Sequence, residues 1–299
     1  MKLKQKIIIS VIILIMLLSA LTLSCIYVWW YRQPQKPVIH IIALGGQSNC
    51  EGVALSSALE QKVTNKQYQL YSQGFKNVSI VSVSNGVTVD PIKQCKLGFG
   101  TTTNHFGIEI GIADYLNTYY PDNQYCLVKK AVGGTTMGEF WTPSLDSGIH
   151  FKTLVSGVNN TIQQYEKLGY IVKVDAFCFM QGEEESASGE LTNYYNDTLN
   201  MINYFRETFK QYGDNIRYID GGVYHSERFP YGNQVNQIKK SVADTDNNNY
   251  YIDTIAMGLT KNNHEEGGIY DIFHYDSLSM LRLGWAFGED IVDNNNNVD

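Results

Sequence analysis

The stretch Val38-Ile39-His40-Ile41-Ile42-Ala43-Leu44-Gly45-Gly46-Gln47-Ser48-Asn49 decides the fold class of this chain. Its first seven residues are apolar apart from His40, which is typical of a strand buried on both faces of a parallel sheet. The two glycines that follow predict a sharp turn out of this strand. Ser48 is therefore expected at the carboxyl end of the first strand, where open α/β sheets bind their ligands.

From Pro37 onward, short apolar runs alternate with longer amphipathic ones, which predicts an α/β fold. We expect a three-layer α/β/α sandwich with a doubly wound, flavodoxin-like parallel sheet. The predicted strands are 38–44, 78–84, 125–131, 172–179, 216–223 and 250–255, and the predicted helices are 105–119, 151–168, 190–212, 233–244 and 277–291. Residues 50–104, which are rich in Gly, Ser and Thr, are expected to form the rim of the site.

The composition suits a single large domain outside the N-terminal segment. The chain has 299 residues, of which 43% are hydrophobic and 18% charged, so it can bury a sizeable core. We assign this domain to residues 38–292. The asparagine-rich tail, residues 293–299, is predicted to be disordered.

Residues 7–31 contain no charged side chain and are numerous enough to cross a bilayer as one helix. Because lysines precede this segment and aromatic residues end it, residues 1–6 are predicted to be cytosolic. Residues 7–31 then form a signal anchor and transmembrane helix, residues 32–37 a linker, and the main domain is extracellular or lumenal. Two alternatives remain open, namely secretion after signal cleavage and a lipoprotein signal that ends at Cys25.

Charge and cysteine content exclude some classes of protein. Beyond Arg32, 19 basic residues stand against 30 acidic ones, a formal net charge of about −11, which disfavours binding to nucleic acid. The five cysteines show no zinc-binding spacing. A disulfide between Cys50 and Cys95 is possible in an oxidising compartment, although the sequence does not establish connectivity.

The chemistry of Ser48 needs a base, because a serine hydroxyl is a poor nucleophile until its proton is removed. Asp271 and His274, three residues apart before the last predicted helix, can supply a base and the carboxylate that orients it. An oxyanion would need hydrogen-bond donors as well. The candidates are the Ser48 amide, a backbone amide of Gly133-Gly134, and the side chain of Gln181.

These segments together resemble a known family, the sialate O-acetylesterase-like carbohydrate acetylesterases of the SGNH hydrolase superfamily. The resemblance covers about residues 38–291 and rests on five blocks in the expected order. They are Gly46-Gln47-Ser48-Asn49 with Gly52, Phe106-Gly107-Ile108-Glu109, Ala131-Val132-Gly133-Gly134-Thr135, Gln181-Gly182-Glu183, and Asp271-Ile272-Phe273-His274-Tyr275-Asp276.

The resemblance implies a role for each matching residue. Ser48 would be the nucleophile, His274 the general base and acid, and Asp271 the residue that orients His274. The oxyanion donors would be the Ser48 amide, the Gly133-Gly134 loop and the Gln181 side chain, and the choice between the two glycines stays open. The residues expected to hold the surrounding loops are Gln47, Asn49, Glu109 and Glu183.

The sequence therefore predicts a serine esterase that removes O-acetyl groups from carbohydrate, either sialic acid or a polysaccharide. We expect it to need no metal and no organic cofactor. One alternative is an SGNH lipase-like or thioesterase-like hydrolase of another acyl ester. A second is a membrane-tethered glycan-binding protein with a degenerate site. The oligomeric state cannot be read from the sequence.

Overall fold

The computed structural model describes residues 3–31, 36–83, 91–144, 146–224, 226–262, 265 and 271–292. The chain divides into two compact units, Met1–Pro37 and Val38–Asp299. The first contains one helix, α1 (Leu3–Tyr31). Within the described residues, no helix meets the length and apolarity needed to cross a membrane. Residues 1–2 of the predicted cytosolic segment, 32–35 of the linker and the whole tail 293–299 lie outside the described residues.

The second unit is built on a seven-stranded sheet in the order β4-β3-β6-β1-β7-β8-β9. Six strands are parallel, and β4 runs antiparallel beside β3. A separate small sheet pairs β2 with β5. The strands are β1 Val38–Gly46, β2 Ala54–Leu55, β3 Val78–Ser82, β4 Lys93–Gln94, β5 His105–Phe106, β6 Gln124–Ala131, β7 Ile171–Met180, β8 Arg217–Gly221 and β9 Asn249–Ile252.

The strand order agrees with the predicted fold over five adjacent strands and extends it at one edge. Strands β6-β1-β7-β8-β9, numbered along the chain among themselves, have the flavodoxin-like order 2-1-3-4-5. Strands β3 and β4, which come from residues 50–104, are added beside β6. The predicted α/β class and parallel sheet are confirmed. Because β6 pairs directly with β1, the loop that contains Gly133 and Gly134 begins next to the turn that contains Ser48.

Nine helices of the second unit are described, and the long ones follow the sequence prediction closely. The predicted helix at 105–119 starts later, at Glu109, because His105 and Phe106 pair with β2. Helix α4 was not predicted. The helices are α2 Ser48–Glu51, α3 Ser56–Glu60, α4 Asn65–Gln73, α5 Glu109–Tyr119, α6 Ile149–Lys167, α7 Glu183–Ser188, α8 Tyr194–Phe209, α9 Gly232–Ala243 and α10 Ser277–Val292, with a π-helical turn at Met137–Trp141 and a 3₁₀ turn at Lys210–Tyr212.

Side chains of strand β1 are buried on both faces of the sheet, which explains why its sequence is almost continuously apolar. Ile41 and Ala43 contribute to a core cluster that includes side chains of α6 and α8. Ile42 and Leu44 contribute to a second cluster with side chains of α5 and α10. Each fully buried Ile or Leu side chain of this strand contributes about 1.5–3 kcal/mol to folding. The central strand is therefore held rigidly from both sides.

All five cysteines lie in the described part of the chain, and all are free thiols. The disulfide that the sequence allowed between Cys50 and Cys95 is absent, and both residues are completely buried in the core. Burial raises the pKa of the Cys50 thiol to about 12, although nearby Lys129 opposes this shift. Cys50 and Cys95 therefore pack as small apolar side chains.

Candidate active site

Ser48 lies directly beyond the carboxyl end of β1, at the first residue of α2. The turn requires glycine at position 46, because φ is +141° and a Cβ there would lie 1.9 Å from the Met180 carbonyl oxygen. The Gln47 amide donates to that same oxygen at 2.9 Å. Gln47 and Asn49 are buried, whereas Ser48 between them is partly exposed. This turn presents the serine at the surface.

The Gln47 side chain ties the turn to the start of α7. Its Oε1 accepts a hydrogen bond from the Gly182 amide at 3.2 Å. Since Gln47 is only 2% exposed, this bond is shielded from water. The Gln47 side chain therefore joins the serine turn to the segment after β7.

His274 and Asp271 are paired in the loop before α10. His274 Nδ1 and Asp271 Oδ2 are 2.6 Å apart, and Asp271 Oδ1 accepts the backbone amides of Phe273 and His274 at 2.8 and 3.2 Å. Burial alone would raise the pKa of Asp271, but the His274 ring and these two amides together hold it below its usual value. The carboxylate therefore stays ionised, and Nε2 is the His274 ring nitrogen that Asp271 does not engage.

Asn49 connects the serine turn to the histidine loop. Its Oδ1 accepts the Tyr275 amide at 3.2 Å, and its Nδ2 donates to the Phe273 carbonyl oxygen at 3.4 Å. The same Nδ2 donates to Glu183 Oε1 at 2.7 Å. The neighbours of His274 on both sides are thus bonded to the residue that follows Ser48. This arrangement places the predicted nucleophile and base segments side by side.

Of the two candidate glycines, Gly133 is the one beside Ser48. A Cβ on Gly133 would lie 3.3 Å from the Ser48 Cβ, whereas the nearest heavy atom to a Cβ on Gly134 is Glu184 Oε1 at 3.9 Å. Gly134 has a φ of +69°, which favours glycine. The Gly133 amide is already occupied, because it donates to Glu51 Oε2 at 2.8 Å.

Gln181 lies close by, but its side chain is used inside the protein. It is completely buried, and its Nε2 donates to the Thr135 carbonyl oxygen at 3.0 Å and to Glu185 Oε2 at 2.5 Å. Its Oε1 accepts the Tyr194 hydroxyl at 3.0 Å. A primary amide has only two hydrogens to donate. The role predicted for Gln181 in the oxyanion hole therefore has no free donor in this structure, and Gln181 instead holds the loop after Gly134.

Glu185 is part of the same arrangement and was not identified from the sequence. Its Oε1 accepts the Met137 amide at 2.5 Å, and Oε2 accepts Gln181. Burial raises the pKa of Glu185, while these two donors favour its ionised form. The sequence feature that could have indicated this role is the run Glu183-Glu184-Glu185 after β7. Its first and third side chains are buried in the protein.

Glu109, which the sequence resemblance predicts to hold a surrounding loop, forms a buried ion pair with Lys129. Its Oε2 lies 2.9 Å from Lys129 Nζ, its Oε1 accepts the Gly107 amide at 2.8 Å, and both side chains are at most 5% exposed. Lys129 also donates to the carbonyl oxygens of Glu51 and Phe99, each at 2.9 Å. Lys129 thereby holds the end of α2. A lysine within the apolar strand β6 was the sequence signal for such a buried pair.

A cavity of about 470 Å³ lies along the continuation of the Gly133-Gly134 loop. Its lining is polar and acidic, which suits hydroxyl groups better than acyl chains. The lining residues are Thr136, Met137, Gly138, Glu139, Glu185, Glu190, Thr192, Asn193, Tyr194 and Asp197. Over the ranges given above for the structure, no group of three or more His, Cys, Asp or Glu side chains could hold a metal ion.

Comparison with known proteins defines the class. The model of the family described as carbohydrate esterase, sialic acid-specific acetylesterase, matches residues 38–293. The protein is therefore a carboxylic ester hydrolase of the carbohydrate esterase class. The chain belongs to the sialic acid-specific acetylesterase family, and the resemblance found in its sequence blocks is confirmed. No curated protein matches the sequence.

Solved structures share the fold at low sequence identity. NanS is 16% identical, with a TM-score of 0.62 and coverage of 87% of this chain and 98% of NanS. A protein of Arabidopsis thaliana is 15% identical, with a TM-score of 0.58 and coverage of 85% and 98%. A carbohydrate acetylesterase of Xanthomonas citri is 12% identical, with a TM-score of 0.55 and coverage of 84% and 55%.

Proposed function

We propose that this carbohydrate esterase removes O-acetyl groups from sugars through an acetyl-enzyme on Ser48. The observation that carries the proposal is the set of hydrogen bonds from Asn49 to both neighbours of His274, while His274 itself is paired with Asp271. Family membership supports the reaction, since its description names acetyl esters of carbohydrate. Ser48, His274 and Asp271 supply the proposed mechanism of that reaction.

In the first half of the reaction, His274 accepts the Ser48 hydroxyl proton as Oγ attacks the acetyl carbonyl carbon. The tetrahedral intermediate carries its negative charge on the former carbonyl oxygen, and its donors are the amide of Ser48 and, once Glu51 releases it, the amide of Gly133. The C–O bond to the sugar then breaks, and His274 returns the proton to the departing sugar oxygen. Ionised Asp271 stabilises the positive charge on His274 throughout.

In the second half, water attacks the acetyl-enzyme and His274 again takes the proton. Acetate leaves, and Ser48 recovers its hydrogen. Each step needs only groups of this chain, the ester and water. The substrate is an O-acetylated carbohydrate, with sialic acid and polysaccharide as the two candidate classes.

The test is hydrolysis of 4-nitrophenyl acetate and 4-nitrophenyl butyrate by the full-length protein and by Ser48→Ala. We expect Ser48→Ala to lower turnover by several orders of magnitude. Ser241→Ala, which changes an exposed serine on α9, serves as the matched control and should be unaffected. Equal activity in Ser48→Ala would refute the serine mechanism.

The choice of substrate is tested separately with O-acetylated sialic acid and acetylated xylo-oligosaccharides. Release of acetate from either, abolished in Ser48→Ala, supports the proposal and selects the sugar class. A preference for the butyryl ester would favour a lipase-like enzyme. Glycan binding without any ester hydrolysis would favour a glycan-binding protein.

The N-terminal segment is proposed to anchor the domain to a membrane, with the domain outside or in a lumen. The support is its uncharged sequence over residues 7–31 and the exposure of its apolar side chains, such as Ile15 at 60% and Leu21 at 62%. The full-length protein should stay with the membrane fraction after alkaline carbonate extraction and dissolve in detergent. Release by carbonate, or a mature N-terminus beyond residue 25, would favour secretion after cleavage.

A further inference from the structure

An acidic side chain occupies a backbone donor beside Ser48. Glu51 Oε2 accepts the Gly133 amide at 2.8 Å, and a Cβ on Gly133 would lie 3.3 Å from the Ser48 Cβ. Glu51 and Ser48 are the last and first residues of α2, so they lie on the same side of one helical turn. The Glu51 carboxylate therefore stands where the proposed mechanism needs a negatively charged oxygen of the substrate.

The backbone of Glu51 is fixed, while its side chain is not enclosed. The Glu51 amide donates to the Gln47 carbonyl oxygen at 2.8 Å, and its carbonyl oxygen accepts Lys129 Nζ at 2.9 Å. The side chain itself is partly exposed, unlike the buried carboxylates Glu109 and Glu183. Any motion of Glu51 at this site is thus confined to rotation of its side chain towards solvent.

The Glu51 carboxylate and the oxyanion of the substrate cannot both accept the Gly133 amide at the same time. An amide has one hydrogen, and a carboxylate and an oxyanion at the same donor would repel each other strongly. Lys130, which is 3% exposed, interacts electrostatically with Glu51; burial lowers the pKa of Lys130, and the Glu51 charge opposes that shift. The charge of Glu51 therefore interacts favourably with that of Lys130 in this structure.

We propose that Glu51 is a placeholder for the oxyanion, which holds the Gly133 amide in the free enzyme and gives it up to the acyl oxygen of the substrate. The inference rests on the proposed serine mechanism with Gly133 as a donor. Its consequence is that every turnover must first displace Glu51. Glu51 is thus a positioning residue that limits the rate, and its removal should speed the reaction.

The test uses diethyl 4-nitrophenyl phosphate and the full-length protein. Ser48 Oγ attacks phosphorus, the bond to the 4-nitrophenoxide breaks, His274 takes the serine proton, and the phosphoryl oxygen occupies the oxyanion donors. We expect Glu51→Ala to react about three- to tenfold faster than the parent protein, because the donor is free and the like charge is gone. The rate of hydrolysis of 4-nitrophenyl acetate should rise in parallel.

Glu207→Gln is the control, since it removes a carboxylate that is 73% exposed on α8 and paired with Lys210; both of its rates should match the parent protein. Rates for Glu51→Ala that are unchanged or lower, with an unchanged melting temperature, would overturn the placeholder role. Glu51 would then serve only to hold the loop.

A second measurement separates this inference from the proposed function. In ¹H–¹⁵N spectra, the Gly133 amide proton should move upfield in Glu51→Ala, because it loses a charge-assisted hydrogen bond. An unchanged Gly133 shift would overturn the inference even if the enzyme is active. Conversely, if the parent protein reacts with neither the phosphate ester nor 4-nitrophenyl acetate, the proposed function is refuted. The chemical shift of the Gly133 amide proton would still report the contact between Glu51 and Gly133.

Discussion

Asn49 shows how one side chain can align two parts of a site that are far apart in the chain. Its amide group bonds Glu183 at the start of α7 and the backbone on both sides of His274. All these bonds are buried or partly buried, so little water competes with them. Misplacement of a catalytic group by about 1 Å can cost 100-fold in rate, so in the proposed mechanism Asn49 would act by aligning His274 with Ser48.

We expect Asn49→Ala to lower kcat about 10- to 100-fold with little change in KM, because His274 loses its alignment with Ser48. Loss of the buried hydrogen bonds should also destabilise the fold by about 1–3 kcal/mol. Steady-state kinetics and urea unfolding measure the two effects. Asn203→Ala, at an exposed position of α8, is the control. An unchanged kcat would show that His274 is aligned by other contacts.

Asp271 makes a pH-dependent contribution to stability. Because its folded pKa lies below the ordinary value of 3.8, this contribution is complete above that value and is lost as the pH falls through the folded pKa. The gap in unfolding free energy between the parent protein and Asp271→Asn should be constant above about pH 5 and shrink towards about pH 2. Urea unfolding across this range measures it, with exposed Asp122→Asn as the control. A gap that widens in acid would contradict the assignment.

At the scale of elements, strand β6 carries the loop beside Ser48 and also the cation that secures α2. Alternate residues of a strand point to opposite faces, so Lys129 and Lys130 leave β6 on different sides. Lys129 reaches Glu109 at the start of α5 and the carbonyl oxygen at the end of α2. The predicted strand 125–131 was confirmed, but its pattern could not reveal which carboxylate neutralises Lys129.

Lys129→Met should destabilise the protein by about 3–5 kcal/mol, because it leaves the Glu109 carboxylate buried and unpaired. The double variant Lys129→Met/Glu109→Gln should recover part of this loss, since the uncompensated charge is removed. Urea unfolding of the single and double variants measures both effects. Lys240→Met, at an exposed position of α9, controls for loss of a lysine. A cost below about 1 kcal/mol would show that water reaches the pair.

At the scale of the whole molecule, the main domain is held by packing on both faces of one sheet. Its buried cysteines, Cys50, Cys95, Cys126 and Cys178, are single thiols among apolar neighbours. Burial raises the pKa of the Cys126 thiol to about 11. These thiols therefore remain protonated and unreactive at neutral pH while the fold is intact.

We expect a thiol reagent such as Ellman's reagent to modify at most Cys25 in the native protein, because Cys25 is the exposed cysteine. After unfolding in guanidinium chloride without reductant, all five thiols should react. The count should be the same after treatment with dithiothreitol, which is the control. A deficit of two thiols before reduction would reveal a disulfide and contradict the structure.

The sequence alone predicted the features that depend on local chain geometry. The strand and helix pattern, the glycine turn before Ser48, and the pairing of Asp271 with His274 three residues later all follow from short-range periodicity and reach. Residues 50–104 were the hardest to predict. Their strands β2 and β4, and β5 directly after them, have two residues each, too few to show a period.

The tertiary structure decided everything that depends on partners distant in the chain. Because β6 rather than β3 lies beside β1, Gly133 faces Ser48 and its amide meets Glu51. Gln181 is already bonded to Thr135 and Glu185, although its sequence block suggested a free donor. The physical reason is the short range of a hydrogen bond. An amide or carboxylate can bond only a complementary group within about 3 Å, and the strand order decides which groups lie that close. The sequence determined which chemical groups stand at the sheet edge, and the strand order decided which of them meet.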